Sequence, residues 1–106
     1  MSEEPVDVVV DDPENSRYIL KRGDRVLGET VYELAERSIR FVHTGVPDIG
    51  EKGLGSKLVA GALDDVRADG SRKVIAICPF VRGFIARHEE YQDLLLRPLP
   101  PGAGQG

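Results

Sequence analysis

Across the stretch Gly50 to Gly55 the apolar residues of this chain pass from a two-residue to a helical period, and that change calls for a sheet followed by a helix. Upstream, Arg17-Tyr18-Ile19-Leu20-Lys21 reads as a strand and Gly23-Asp24 as a two-residue hairpin turn. Arg25 to Leu34, rich in Val, Thr and Tyr, reads as the partner strand. After a turn at Glu36-Arg37, the alternation from Ser38 to Thr44 predicts one face carrying Ile39, Phe41 and His43. Val46-Pro47-Asp48-Ile49-Gly50 then breaks the pattern. Downstream, Leu54, Leu58, Ala62 and Val66 recur every four residues, and Val59 and Leu63 widen the stripe into the buried face of a helix. Gly70 ends that helix, because glycine tolerates the left-handed conformation common at helix C-termini.

Val74-Ile75-Ala76-Ile77 is a continuous apolar run, the pattern of a central strand buried on both faces. Cys78-Pro79 closes it, and Pro79 suits the first turn of a second helix running to about His88. Tyr91 to Leu96 reads as a last short strand or a docking segment. The order of these elements predicts an α/β fold of the α+β type, with a mixed, mostly antiparallel sheet and two main helices. Residues 1–15, which hold the run Val8-Val9-Val10, read as a flexible N-terminal arm or an edge strand. Residues 16–97 form the domain. The Pro- and Gly-rich stretch 98–106 reads as a disordered tail.

A chain of 106 residues has room for one such domain. Its net charge of -4 argues against a nucleic-acid partner. No apolar run approaches the roughly 20 residues that span a bilayer. The acidic start Met1-Ser2-Glu3-Glu4 has no signal-peptide core, and the single cysteine has no internal disulfide partner, so the expected location is the cytoplasm. Two histidines and one cysteine, far apart in sequence, give no metal-ligand spacing.

The segment Lys52-Gly53-Leu54-Gly55-Ser56-Lys57 opens the first helix. A helix start exposes unpaired N–H groups at the positive end of the helix dipole, and Gly53 and Gly55 keep side chains away from them. Lys52 and Lys57 add charge and Ser56 a hydroxyl, a combination suited to a pyrophosphate. Gly50 and Gly55 have the Walker separation, but Ser56-Lys57 stands in reversed order. The third small residue of a dinucleotide fingerprint is replaced by Leu58. A turn that serves only as a tight corner satisfies the same glycines.

Five segments in order resemble one family. They are His43-Thr44-x-Val46-Pro47; Gly53-Leu54-Gly55-Ser56-Lys57-Leu58-Val59; Ala62-Leu63-Asp64; Cys78-Pro79-Phe80-Val81; and Arg87-His88-x-x-Tyr91. Together they look like the minimal branch, of about this length, of the Gcn5-related N-acetyltransferase superfamily, over roughly Arg17 to Leu95. Gly50 stands where that superfamily carries Gln or Arg, a position that contributes mainly through its backbone. The resemblance implies that Ile39–Val46 and Val74–Cys78 splay apart to admit the pantetheine arm of acetyl-CoA. It also implies coenzyme contacts at Val46, Gly50, Lys52, Gly53, Leu54, Gly55, Ser56, Lys57, Pro79 and Phe80, and acetyl transfer to an amine acceptor of unknown identity.

Cys78 and His43 are the expected reactive pair. A thiol at a helix N-terminus is the better nucleophile because the dipole favours its thiolate. His43 would take a proton from the amine or from Cys78. Each also has a plain reading, Cys78 as small core filler and His43 as a partly buried side chain bonded to the backbone. Tyr91 reads as packing rather than as a proton donor to the departing thiolate, and Arg82, Arg87, Asp64 and Asp65 as solvated faces. The alternative function is a non-catalytic acyl-CoA-binding module. The expected state is a monomer or a weak homodimer.

Overall fold

A computed structural model describes residues 6–47 and 49–99 of the chain. The strands are β1 (Asp7–Asp12), β2 (Arg17–Arg22), β3 (Arg25–Leu34), β4 (Ser38–Gly45) and β5 (Lys73–Ala76). The helices α1 (Leu54–Asp69) and α2 (Pro79–Arg87) lie on either side of β5 in the chain. The five strands form one sheet in sequence order, with three antiparallel junctions and a parallel one between β4 and β5. This is the mixed α+β architecture expected from the sequence. The hairpin turns at Gly23-Asp24, where Gly23 takes φ 60°, a left-handed value that glycine adopts without a Cβ penalty.

One face of the sheet carries the core. Tyr18, Leu20, Tyr32, Ile39 and Phe41 meet Leu54, Leu58, Val59, Ala62, Leu63 and Val66 of α1, and Val81, Phe84 and Ile85 of α2. Every apolar residue of the four-residue stripe in α1 is buried. Close approach to the edge strand depends on Gly61, since a Cβ there would lie 2.5 Å from a Val9 methyl. β1 is thereby held against α1 as well as against β2.

Two elements differ from the sequence-based expectation. β5 ends the sheet rather than occupying its centre. Val74 is buried, Ile75 and Ala76 are half-buried, and Ile77 is 43% exposed. Its outer edge meets one bridge, in which Leu96 N–H donates to Val74 O at 2.9 Å. The apolar run reflects that contact and the open end described below, not two covered faces. Tyr91 to Leu96 is a docking segment rather than a strand, because Glu89–Leu94 form a 3-10 helix whose Leu94 is buried in the core before the bridge at Leu95. Of the expected tail, Leu99 packs partly against the core, and positions 100–106 lie outside the described residues, as do positions 1–5.

β4 holds the second departure. Val31 pairs with His43 and Tyr32 with Phe41, so two neighbours on β3 face residues two apart on β4. Val42 is the extra residue of a β-bulge. Side chains alternate along a strand, so one extra residue reverses the faces beyond it. Thr44 therefore joins Phe41 on the core face, opposite Thr30, and His43 turns to the outer face with Val31. The expected common face of Ile39, Phe41 and His43 ends at Phe41.

Candidate functional site

β4 and β5 pair from Ser38↔Lys73 to Phe41↔Ala76 and then part. Phe41 O accepts from both Ile77 N–H (3.0 Å) and Cys78 N–H (2.8 Å), which ends the ladder. Beyond it β4 runs on to Gly45 without a β5 partner, while the chain after β5 turns into α2. This is the splay that the family resemblance implies, and it opens at the end of the sheet where α1 begins. Val46, Ile49, Ile77 and Phe80, on the segments leaving the fork, are large apolar residues left roughly 40% exposed.

The start of α1 leaves its backbone donors uncapped. Gly53 is the N-cap with φ 83°, no side chain caps the helix, and the first turn holds no acidic residue. The first intrahelical bond is Lys57 N–H to Gly53 O at 3.0 Å. The N–H groups of Leu54, Gly55 and Ser56 precede it and have no helical partner. A Cβ built at Gly53 or at Gly50 would meet nothing within 4 Å, so both positions open outward. Gly55 differs, since a Cβ there would lie 2.6 Å from the tip of the Phe80 ring. Glycine at 55 thus makes room for Phe80 of α2, and the two helix starts touch through that contact.

Lys52 is exposed beside this turn. Lys57 instead reaches β1, donating to Asp7 at 2.8 Å, and Arg22 bonds both Asp7 (2.7 Å) and Glu51 (2.8 Å). Hydrogen bonds from Arg22 first and Lys57 second hold the Asp7 carboxyl well below the usual aspartate range. The network ties the edge strand to the loop before α1.

Cys78 is the N-cap of α2, with Pro79 in the first turn, and is 4% exposed. Among the described residues its sulfur has one hydrogen-bond partner, Thr44 Oγ1 at 3.3 Å. Thr44 Oγ1 lies 2.9 Å from Thr30 Oγ1, and Thr30 is fully buried. The expected pairing of Cys78 with His43 is not made, because the bulge gives the core face to Thr44. His43 is exposed on the opposite face. The two threonines were not singled out in the sequence. A bulge has no composition signal of its own, and simple alternation hides Thr44 from the core.

The remaining candidates make structural contacts. Tyr91 OH donates to Asp64 at 2.8 Å, and its phenol is pushed up to about 12, chiefly by burial. It packs on Phe84 and Arg67, as a structural tyrosine does. Arg82 donates to Ala76 O at 3.3 Å, and His88 stacks on Phe84. Asp65 is more than a solvated face, since Tyr18 OH donates to it at 2.6 Å. A cavity of about 130 Å³ lies there, toward the far end of α1, between Tyr18, Tyr32, Ile39 and Asp65. Tyr32 OH donates to Asp11 at 2.6 Å, so carboxylates take both phenols and burial raises both above the usual tyrosine range.

Among the described residues no group of three or more His, Cys, Asp or Glu is arranged to hold a metal ion. No described helix is long and apolar enough to cross a membrane.

A strand fork beside an uncapped glycine helix start defines an acyltransferase-like α+β fold. Residues 17–94 match the family model described as GCN5-related N-acetyl-transferase, and the chain belongs to that family. It is similar to the NMR solution structure of a GCN5-like protein from Staphylococcus aureus. The identity is 26%, the TM-score 0.62, and the match covers 83% of this chain and 86% of that one. No curated protein sequence matches the chain.

Proposed function

We propose that this protein uses acetyl-CoA to acetylate an amine, with Cys78 carrying the acetyl group between the two. The observation that supports this most is the convergence of three features at one end of the sheet. The strand fork opens there, the N–H groups of Leu54, Gly55 and Ser56 have no helical partner or side-chain cap there, and Cys78 closes the fork. In this reading the N–H groups and Lys52 hold the pyrophosphate, with Gly50 and Gly53 leaving it room. Val46, Pro79 and Phe80 line the pantetheine path. Lys57 acts at one remove by anchoring β1.

The chemistry balances in two steps. The Cys78 thiolate attacks the thioester carbonyl carbon, forming a new C–S bond and breaking the one to the coenzyme sulfur. The proton released by Cys78 goes to solvent, and the departing coenzyme thiolate recovers one from solvent. The acceptor amine then attacks the Cys78 thioester, its extra proton passes through water at the free edge of β4 to His43, and the Cys78 sulfur leaves as thiolate. His43 thus serves the amine rather than the thiol.

Acetyl-CoA should raise the melting temperature through mass-action linkage. Intact mass after incubation should show one added acetyl group, lost in Cys78→Ala. No thermal shift at millimolar acetyl-CoA would end the proposal. The burial of Cys78 favours a second reading, a binding module that holds the acyl-coenzyme without turnover. A thermal shift with no acetyl adduct and no acetylated amine selects that reading.

A further inference from the structure

We propose that Thr44 and Thr30 form a two-hydroxyl relay that positions the Cys78 sulfur and stabilises it when it loses its proton. This rests on the reading of Cys78 as the acetyl carrier. The geometry is a chain of three atoms, Cys78 Sγ to Thr44 Oγ1 at 3.3 Å and Thr44 Oγ1 to Thr30 Oγ1 at 2.9 Å. Either threonine can be the donor in the second contact. With the thiol protonated, S–H donates to Thr44 and Thr44 donates to Thr30. With the thiolate, Thr30 donates to Thr44 and Thr44 donates to sulfur. Only hydroxyl hydrogens rotate between the two states, so no heavy atom has to move.

Three observations make the chain more than a packing contact. Thr30 is fully buried, so bulk water does not compete for its hydroxyl. The charged groups nearby in the chain point elsewhere. Arg82, one turn into α2, bonds Ala76 O, Lys57 of α1 bonds Asp7, and His43 lies on the other face of β4. The hydroxyl of Thr44 is then the side-chain donor left to meet a charge on sulfur. The bulge at Val42 is what brings it there, because with Val42 paired in plain alternation His43 would fall opposite Thr30 on the core face. Thr44 is a positioning residue, acting on Cys78 rather than on substrate.

The chain has a single cysteine, so its S–H infrared stretch belongs to Cys78 alone. In the unmodified protein and in Thr44→Ser the band should sit at the lowered frequency of a hydrogen-bonded thiol. In the isosteric Thr44→Val it should move to higher frequency. Iodoacetamide alkylation at one pH should be about tenfold slower in Thr44→Val and close to the unmodified rate in Thr44→Ser. Thr30→Val leaves the first link in place, so the band should stay while alkylation slows. Far-UV circular dichroism and a cooperative melt establish that each variant is folded. If Thr44→Val fails to fold, the Ser and Thr30 variants decide. An unmoved band in Thr44→Val, a serine variant as impaired as valine, or unchanged alkylation in Thr30→Val overturns the relay. Neither readout uses acetyl-CoA, so the relay is judged even if the coenzyme does not bind, and failed binding counts against the acetyl-transfer reading alone.

Discussion

β4 does two different jobs along its length. From Ser38 to Phe41 it is paired on both edges and buries Ile39 and Phe41 in the core. From Val42 to Gly45 it keeps β3 on one edge, loses β5 on the other, and shifts its faces by one residue. The paired half behaves as ordinary sheet, stabilised by burial and by the ladder. The splayed half leaves one backbone edge free, places a hydroxyl against a buried sulfur and sends a histidine to the surface. Phe41 is the hinge between them, because its carbonyl ends the ladder by accepting two N–H groups. Stability is therefore concentrated on one side of Phe41 and the candidate site lies on the other.

The largest effect should come from the paired half. Phe41→Ala removes a ring that is 1% exposed, and urea unfolding should show a loss of about 3–5 kcal/mol. A much smaller loss would mean that the hinge is not part of the core. His43→Ala should leave stability within about 0.5 kcal/mol, as expected of an exposed side chain. The same variant should slow acetyl transfer to an amine by on the order of 10²-fold while still accepting acetyl on Cys78. Loss of both steps together would put His43 next to the thiol after all.

Deleting Val42 removes the bulge and restores plain alternation. It should keep His43 opposite Val31 and Thr44 opposite Thr30, because only the unpaired residue is lost, and the urea midpoint should shift by no more than about 1 kcal/mol. The S–H stretch of Cys78 should stay in place in the same variant, and a shift would mean that Thr44 has left the core face. The smallest effect should be at Asp7, which supports the site from a distance. Its carboxyl ionises more easily in the folded chain than in the unfolded one, held by Arg22 and Lys57. The stability it supplies is present above the ordinary aspartate range and fades as pH falls below about 4. Asp7→Asn should therefore melt a few degrees lower at neutral pH and converge with the unmodified protein in acid. A constant gap across pH would assign the difference to packing.

The same two halves divide what the sequence made legible. The paired half, the hairpin at Gly23-Asp24 and the stripe of α1 all follow from period, and period is visible in one sequence. The glycine helix start was legible too, because its chemistry is local to six residues. Beyond Phe41 the pattern misleads. A bulge adds one residue without changing composition, so Thr44 and His43 exchange faces with no mark in the string. β5 misleads for a related reason. Four apolar residues in a row fit a strand covered on both faces, and equally one that ends a sheet beside an apolar fork. The contact between Gly55 and Phe80 joins two helix starts 25 positions apart, and only the fold brings them together.

The division of labour between Thr44 and His43 is tested most directly by the rate at which acetyl appears on Cys78. Thr44→Val and His43→Ala would be mixed with acetyl-CoA without an acceptor and followed by intact mass. The expected result is slow acetylation in Thr44→Val and near-unmodified acetylation in His43→Ala. Slow acetylation in His43→Ala with an unaffected Thr44→Val would contradict the register assigned to β4 and return the thiol to the histidine.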